Sequence, residues 1–275
     1  MAPTIPRMAE LQAPADWQVV DFISDLHLQN SELRTLALWQ HYLTSTQADA
    51  IFILGDLFET WVGDDVLAAA PSSVDSAESF EQACVQALRA ASKGRQLFLM
   101  HGNRDFLIGP SFAQACHLTL LEDPTVLDFG NQRWLLSHGD ALCLDDVSYL
   151  AFRAEVRSQA WQQTFLARPL AQRREIAAQL RLQSESRKLA GASYGDVDSP
   201  LAKRWLQAAR ANCLIHGHTH RPADHPLEQG QQRLVLSDWD ASASPERAQV
   251  LRLLRYGPAG AEGVRIERLH PLNLG

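Results

Sequence analysis

The chain has 275 residues, 46% hydrophobic and 21% charged, enough to bury one large α/β core with an insertion and too apolar for a disordered or fibrous protein. A net charge of -7 argues against a general nucleic-acid binder, which uses surplus Lys and Arg to displace counterions from phosphates. No apolar run approaches the ~20 residues of a membrane span, and MAPTIPRMAELQAPADW has prolines and acids where a signal peptide would have its apolar core. Four scattered cysteines, Cys84, Cys116, Cys143 and Cys213, sit among apolar neighbours without a CxxC pair. The expectation is a reduced, cytosolic chain, at most peripherally membrane-attached.

Residues 1–16 read as a loose leader. The first strand, WQVVDFIS, ends at SDLHL, where Asp25 and His27 would point the same way if the backbone stays extended. Asp with His suits a divalent metal, although a surface loop often contains both by chance. From Ser31 to Thr44, Leu33, Leu36, Leu38, Trp39 and Leu43 mark an amphipathic helix with Ser31 near its N-cap. IFILGDLFE follows. Four apolar residues form a buried strand, Gly55 turns the chain, and Asp56 arrives at the strand's carboxyl end, where open α/β sheets place their chemistry. An Asp there could equally cap a helix, and Glu59 reads as local support or a helix-start acid. In the acidic loop of residues 60–79, Asp64 and Asp65 could bind metal, but consecutive acids in a loop are more often solvated.

A helix from about Phe80 to Ser92 stops at Lys93-Gly94, and strand QLFLM runs into HGNRD. There Asn103 offers a carbonyl oxygen, Arg104 a planar fork for phosphate, and Asp105 an acceptor; His101 reads as a core histidine. LTLL, TVLDF and RWLLS add short strands, the last ending at His138 in SHGD. Between Asp145 and about Pro200 the pattern turns helical, with seven Arg and one Lys against three Glu in residues 151–188. Any single Arg there is most simply a solvated face; the whole block beside the site reads as a basic, apolar cap able to receive an amphiphilic anion. After helix LAKRWLQAARA, strand NCLI leads to HGHTH, with His218 and His220 facing one way and His216 another. RLVLSDWD, QVLRLL and VRIERL would complete a second sheet. Without an internal repeat or a Pro- or Ser-rich linker, residues 17–275 read as one domain with a cap insertion at about 145–200.

DLH, GD, GN, HGD and GHTH, each after a strand and in that order, make the chain resemble the calcineurin-like metallophosphoesterases from about Val19 to Leu236. The resemblance implies an α/β fold, a four-layer αββα sandwich with an inserted helical cap. It also implies one metal held by Asp25, His27 and His220, another by Asn103, His138 and His218, and Asp56 as the bridge. Two divalent ions ~3.5 to 4 Å apart can activate a shared hydroxide and offset charge on a phosphoryl oxygen. Mixed nitrogen and oxygen donors at a six-coordinate site favour two Mn²⁺, with Fe²⁺ or another divalent ion open. Asp140 and Asp105 are expected to accept the free N–H of a ligating histidine.

Within the family, SDLHL, GDLFE with WVGDD, HGNRDFLIG, SHGDALCLDD and IHGHTHRP are similar to the motifs of the UDP-2,3-diacylglucosamine pyrophosphatases of bacterial lipid A synthesis. Arg104 stands where many family phosphatases have the histidine of GNHD. This resemblance implies attack of a metal-bound hydroxide on the α-phosphorus of the diacylated UDP-sugar, releasing UMP and 2,3-diacylglucosamine 1-phosphate. Asp56, Asn103 and Arg104 would carry catalysis, and Asn103, Arg104, Asp146, Tyr149, Ser184, Lys188 and His218 would bind substrate. It further implies a peripheral place on the cytoplasmic face of the inner membrane and no nucleic-acid partner. One alternative is another dinuclear nucleotide pyrophosphatase or phosphodiesterase with a soluble substrate, which the basic, apolar cap disfavours. The other is a non-catalytic scaffold, which should show gaps in the ligand set; the motifs show none.

Overall fold

The apolar runs become the inner strands of two stacked sheets in a computed structural model that describes residues 4–68, 79–189 (side chains to 182), 195–257 and 263–274. An edge strand, β1 (Ala9–Gln12), precedes β2 (Val19–Ile23), α1 (Leu33–Ser45), β3 (Ala50–Leu54), α2 (Phe80–Ala91), β4 (Gln96–Met100), α3 (Pro110–Cys116) and β5 (Thr119–Leu121). A hairpin, β6 (Thr125–Phe129) and β7 (Gln132–Ser137), leads into three successive helices, α4 (Val147–Val156), α5 (Gln159–Leu166) and α6 (Leu170–Leu189). The chain returns through α7 (Ser199–Ala209), β8 (Cys213–His216), β9 (Ala223–Pro226) and β10 (Gln232–Val235), and finishes with β11 (Val250–Tyr256) and β12 (Gly263–Leu269).

One sheet has the order β1-β6-β7-β8-β10-β9 and the other β12-β11-β2-β3-β4-β5. Strands β2, β3, β4 and β5 run parallel, so their carboxyl ends share one edge. All five residues of β3 are buried, as expected for a parallel strand covered on both faces. Between the sheets, Phe22, Phe52 and Phe98 stack at 5.1 and 4.5 Å and meet Leu127, Trp134 and Ile215 from the other side. Helices α1 to α3 cover the outer face of the β2-containing sheet, and α7 covers the other through Leu201, Trp205 and Leu206. The layers are therefore helix, sheet, sheet, helix, as anticipated.

Several local expectations change. Residues 9–12 pair with β6 rather than forming part of a loose leader. Ser31 does not cap α1; Glu32 occupies the N-cap position and no side chain bonds there. The tail strands divide between the sheets, β10 joining one and β11 and β12 the other. Asp64 holds the start of α3 by accepting from the amides of Gly109 and Phe112, and Asp65 pairs with the buried Arg173 of α6, so neither is a merely solvated acid. The four cysteines are free and buried, as expected.

Asp21 of β2 is fully buried on the α1 side of its sheet. Arg252 of β11 reaches it through Nε at 2.8 Å and Nη2 at 3.1 Å, and the hydroxyl of Thr46 donates at 2.6 Å. The same guanidinium donates to the Leu274 carbonyl oxygen, fastening the end of the chain over α1. Removing one partner of a buried pair leaves the other charge uncompensated. Arg252→Met should therefore lower stability by about 3 kcal/mol in denaturant titrations, and a change near zero would contradict this role.

Candidate metal centre

Five strands, β2, β3, β4, β7 and β8, end at one edge of the sandwich, each delivering the side chains that follow it. The Nε2 atoms of His27 and His220 face each other at 3.4 Å, and His220 Nε2 lies 3.3 Å from Asp25 Oδ1. Asn103 Oδ1 is 3.0 Å from both His138 Nε2 and His218 Nδ1. Between these groups, Asp56 Oδ2 is 3.9 Å from His27 Nε2 and 3.8 Å from His138 Nε2. Donor atoms of Asp25, His27 and His220, and of Asp25, Asp56 and His138, lie within 4.8 Å of one another.

The backbone here is not the extended chain that alternation assumed. Asp25, His27, Asp56, His218 and His220 all have left-handed φ, between 48° and 66°. Each such residue costs on the order of 1–3 kcal/mol unless its surroundings impose the conformation. The loops impose it by bonding one another: Asp25 N to Gly55 O, His27 N to Asp56 O, Gly217 N to His138 O and Trp239 N to Asp25 O. Two motif glycines allow the approach. A Cβ on Gly102 would sit 2.0 Å from Asp56 Oδ1, and one on Gly217 would sit 2.2 Å from Asp25 Oδ2.

Behind the histidines, His138 Nδ1 meets the Leu54 carbonyl oxygen at 2.9 Å, whereas His27 Nδ1 lies 3.0 Å from Glu59 Oε2 as an ion-pair contact, out of line for a hydrogen bond. Asp238 Oδ2, held by Arg247 Nε at 2.9 Å, lies 3.7 Å from His220 Nδ1. Sequence reasoning missed Asp238; its only signal was an acid closely following a strand, in SDWD. Asp105 and Asp140 do not accept from the histidines as expected. Asp105 takes the amides of Leu57 and Gly102, both at 2.8 Å, and so pins two ligand loops together. Asp140 accepts from the Tyr149 hydroxyl at 2.5 Å and Arg153 Nε at 2.8 Å, which draws α4 down onto the centre. Arg157 adds a bond to the Gly102 carbonyl oxygen.

Burial pushes Asp56 up to about 6, against the pull of His138 and His27. Burial opposes protonation of His138, but the charges of Asp56, Asp140 and Asp25 prevail and raise it to about 9. His218 falls to about 4 through burial and its neighbour His138. The cluster thus attracts positive charge to its middle. Asp25 Oδ1 is buried without a hydrogen-bond partner beside two imidazole nitrogens. Such a set of carboxylate, amide and imidazole donors, with no thiolate, fits divalent ions.

Arg104 flanks the cluster, its amide donating to Asp56 Oδ1 at 2.8 Å and its Nη1 lying 3.7 Å from Glu59. The Tyr149 ring stacks beside His218 with centroids 6.1 Å apart. Asp146 is one turn away in sequence and uses its carboxylate to cap α4 at the Tyr149 amide. Glu59 is not a helix-start acid: it lies between β3 and the next turn of helix and supports His27. His101 bonds the Ile108 carbonyl oxygen and His216 that of Gly217, both apart from the cluster as anticipated. Ser184 and Lys188 fall on α6, but their side chains lie outside the described residues.

This chain belongs to the calcineurin-like phosphoesterases, whose family pattern matches residues 19–222. Its relatives include the UDP-2,3-diacylglucosamine hydrolase of Cellvibrio japonicus, 44% identical over 81% of this chain and 95% of that one. The protein of the same name from Aromatoleum aromaticum is 45% identical over 81% and 89% of the two chains. That from Xanthomonas campestris is 38% identical over 90% and 98%.

The contact at Gly102 yields a direct test. Gly102→Ala should force Asp56 aside and weaken Mn²⁺ binding about tenfold or more, while circular dichroism stays that of the folded chain. Calorimetric titration showing unchanged affinity would mean that Asp56 does not need its present position.

Proposed function

We propose that the chain hydrolyses the pyrophosphate bond of UDP-2,3-diacylglucosamine, yielding UMP and 2,3-diacylglucosamine 1-phosphate. The observation that carries this reading is the placement of Asp56 Oδ2 between His27 and His138 beneath a basic, apolar cap, in a chain 38–45% identical to hydrolases named for that substrate. Asp25, His27 and His220 would hold one ion, Asn103, His138 and His218 a second, with Asp56 shared. Two Mn²⁺ suit these donors, Fe²⁺ being the nearest substitute, and when bound they supply Lewis acidity and an activated water.

The chain's own groups do the rest. Arg104 presents a planar guanidinium fork suited to phosphate oxygens, so it would orient the pyrophosphate and offset charge as the bond breaks. Asn103, fixed between two histidines, and His218, stacked on Tyr149, would bound the same space. Asp146 and Tyr149 at the start of α4, with Ser184 and Lys188 further along the cap, would contact the sugar and its phosphates.

The cap also has apolar side chains for acyl chains. Val147, Phe152, Leu166, Leu180 and Leu182 are all more than a third exposed, and the surrounding arginines suit an anionic lipid surface. No helix among the described residues is long and apolar enough to cross a membrane. The setting consistent with this is peripheral attachment to the cytoplasmic face of the inner membrane, with no nucleic-acid partner.

The test is release of UMP from the diacylated UDP-sugar with Mn²⁺ and its loss with chelator. Much faster cleavage of small soluble phosphodiesters would overturn the lipid substrate. Asp56→Ala should abolish turnover and weaken metal occupancy; near-normal activity would refute the shared-ligand role. Arg104→Ala should lower turnover about 100-fold or more with two Mn²⁺ still bound at saturating metal, and loss of the metal instead would show its role to be mistaken.

A further inference from the structure

Glu59 divides its two oxygens between different parts of the site. Oε2 lies 3.0 Å from His27 Nδ1. Oε1 lies 3.2 Å from Arg181 Nε of cap helix α6 and 3.7 Å from Arg104 Nη1 in the turn after β4. Its backbone amide bonds the Leu28 carbonyl oxygen, and Leu28 N bonds Leu57 O, so the segments bearing His27 and Glu59 run side by side. The carboxylate is 12% exposed, which keeps water from replacing these partners freely.

We propose that Glu59 is a positioning residue that couples the metal affinity of His27 to the state of Arg104 and Arg181, so that an anion drawn to those arginines strengthens metal binding. The proposal rests on the metal and phosphate roles given above. A carboxylate held beside Nδ1 of a ligating histidine favours the tautomer protonated there and makes Nε2 a better donor. Cations leaning on Oε1 draw charge away from Oε2 and weaken that effect, because linked polar groups polarise one another. A phosphate group that takes over Arg104 and Arg181 returns the charge of Glu59 to His27. By linkage, a bound metal then favours the anion by the same factor. A purely structural ion pair would join the cap to the core without this dependence.

Stepwise Mn²⁺ titration of the metal-stripped, full-length protein by calorimetry separates the two. Glu59→Gln, nearly isosteric, should weaken one of the two binding steps about 10–100-fold and leave the other unchanged, with wild-type circular dichroism. Arg181→Met should tighten that same step, and the gain should be about fivefold or more smaller when Glu59→Gln is also present. Unchanged Mn²⁺ steps in Glu59→Gln would overturn the positioning role. An Arg181→Met effect equal in both backgrounds would overturn the coupling, since the arginine would then act on the ion directly through space. Wild-type protein binding fewer than two Mn²⁺ would overturn the two-metal reading itself, and this proposal with it.

Discussion

Four buried carboxylates, Asp25, Asp56, Asp105 and Asp140, meet at one edge of the sandwich, and each must find charge or N–H donors to remain there. They find them in different ways. Asp105 is satisfied by backbone amides and becomes a clamp between two loops. Asp140 takes Tyr149 and Arg153, both on α4, on its Oδ2 alone and leaves Oδ1 buried without a partner, so partial compensation of one charge also fixes the first helix of the α4–α6 segment over the centre. Asp25 keeps Oδ1 buried without a partner 3.3 Å from His220, and Asp56 accepts the Arg104 amide on Oδ1 while its Oδ2 is turned toward His27 and His138. Structural and chemical roles are thus divided among chemically identical side chains by what surrounds them.

The backbone follows the same division. Left-handed conformations are ordinary for glycine and uncommon for other residues, yet five candidate ligands adopt them in three separate loops. Interloop hydrogen bonds and the tight contacts at Gly102 and Gly217 hold them there. Strain gathered in this way points to a place where geometry matters more than local stability. The arginines extend the network outward: Arg153 and Arg157 bind beneath the cap, while Arg104 and Arg181 meet at Glu59.

The central strands were legible because parallel strands buried on both faces spell continuous apolar runs, as IFIL does. The candidate ligands were legible as a convergent set because each follows such a run after a small residue or turn. β1 and β9 were not, since four-residue strands with half-buried, alternating patterns carry no signal distinguishable from loop. The Asp25 and His27 arrangement was anticipated for the wrong reason: the two converge through left-handed turns rather than by alternation along extended chain. Partner choice was the least legible feature. Whether Asp140 would serve a histidine or α4, and whether Asp238 would lie behind His220, depends on side chains brought from 9 to 18 residues away. In the cap, composition announced a basic, apolar insertion, but which arginine meets which carboxylate follows from tertiary packing alone.

The shared position of Asp56 is the claim on which the functional account turns. Anomalous diffraction at the manganese edge from crystals grown with Mn²⁺ tests it most directly. The account predicts two peaks about 3.5–4 Å apart with the Asp56 carboxylate touching both. A single peak, or two peaks of which Asp56 touches only one, would contradict it.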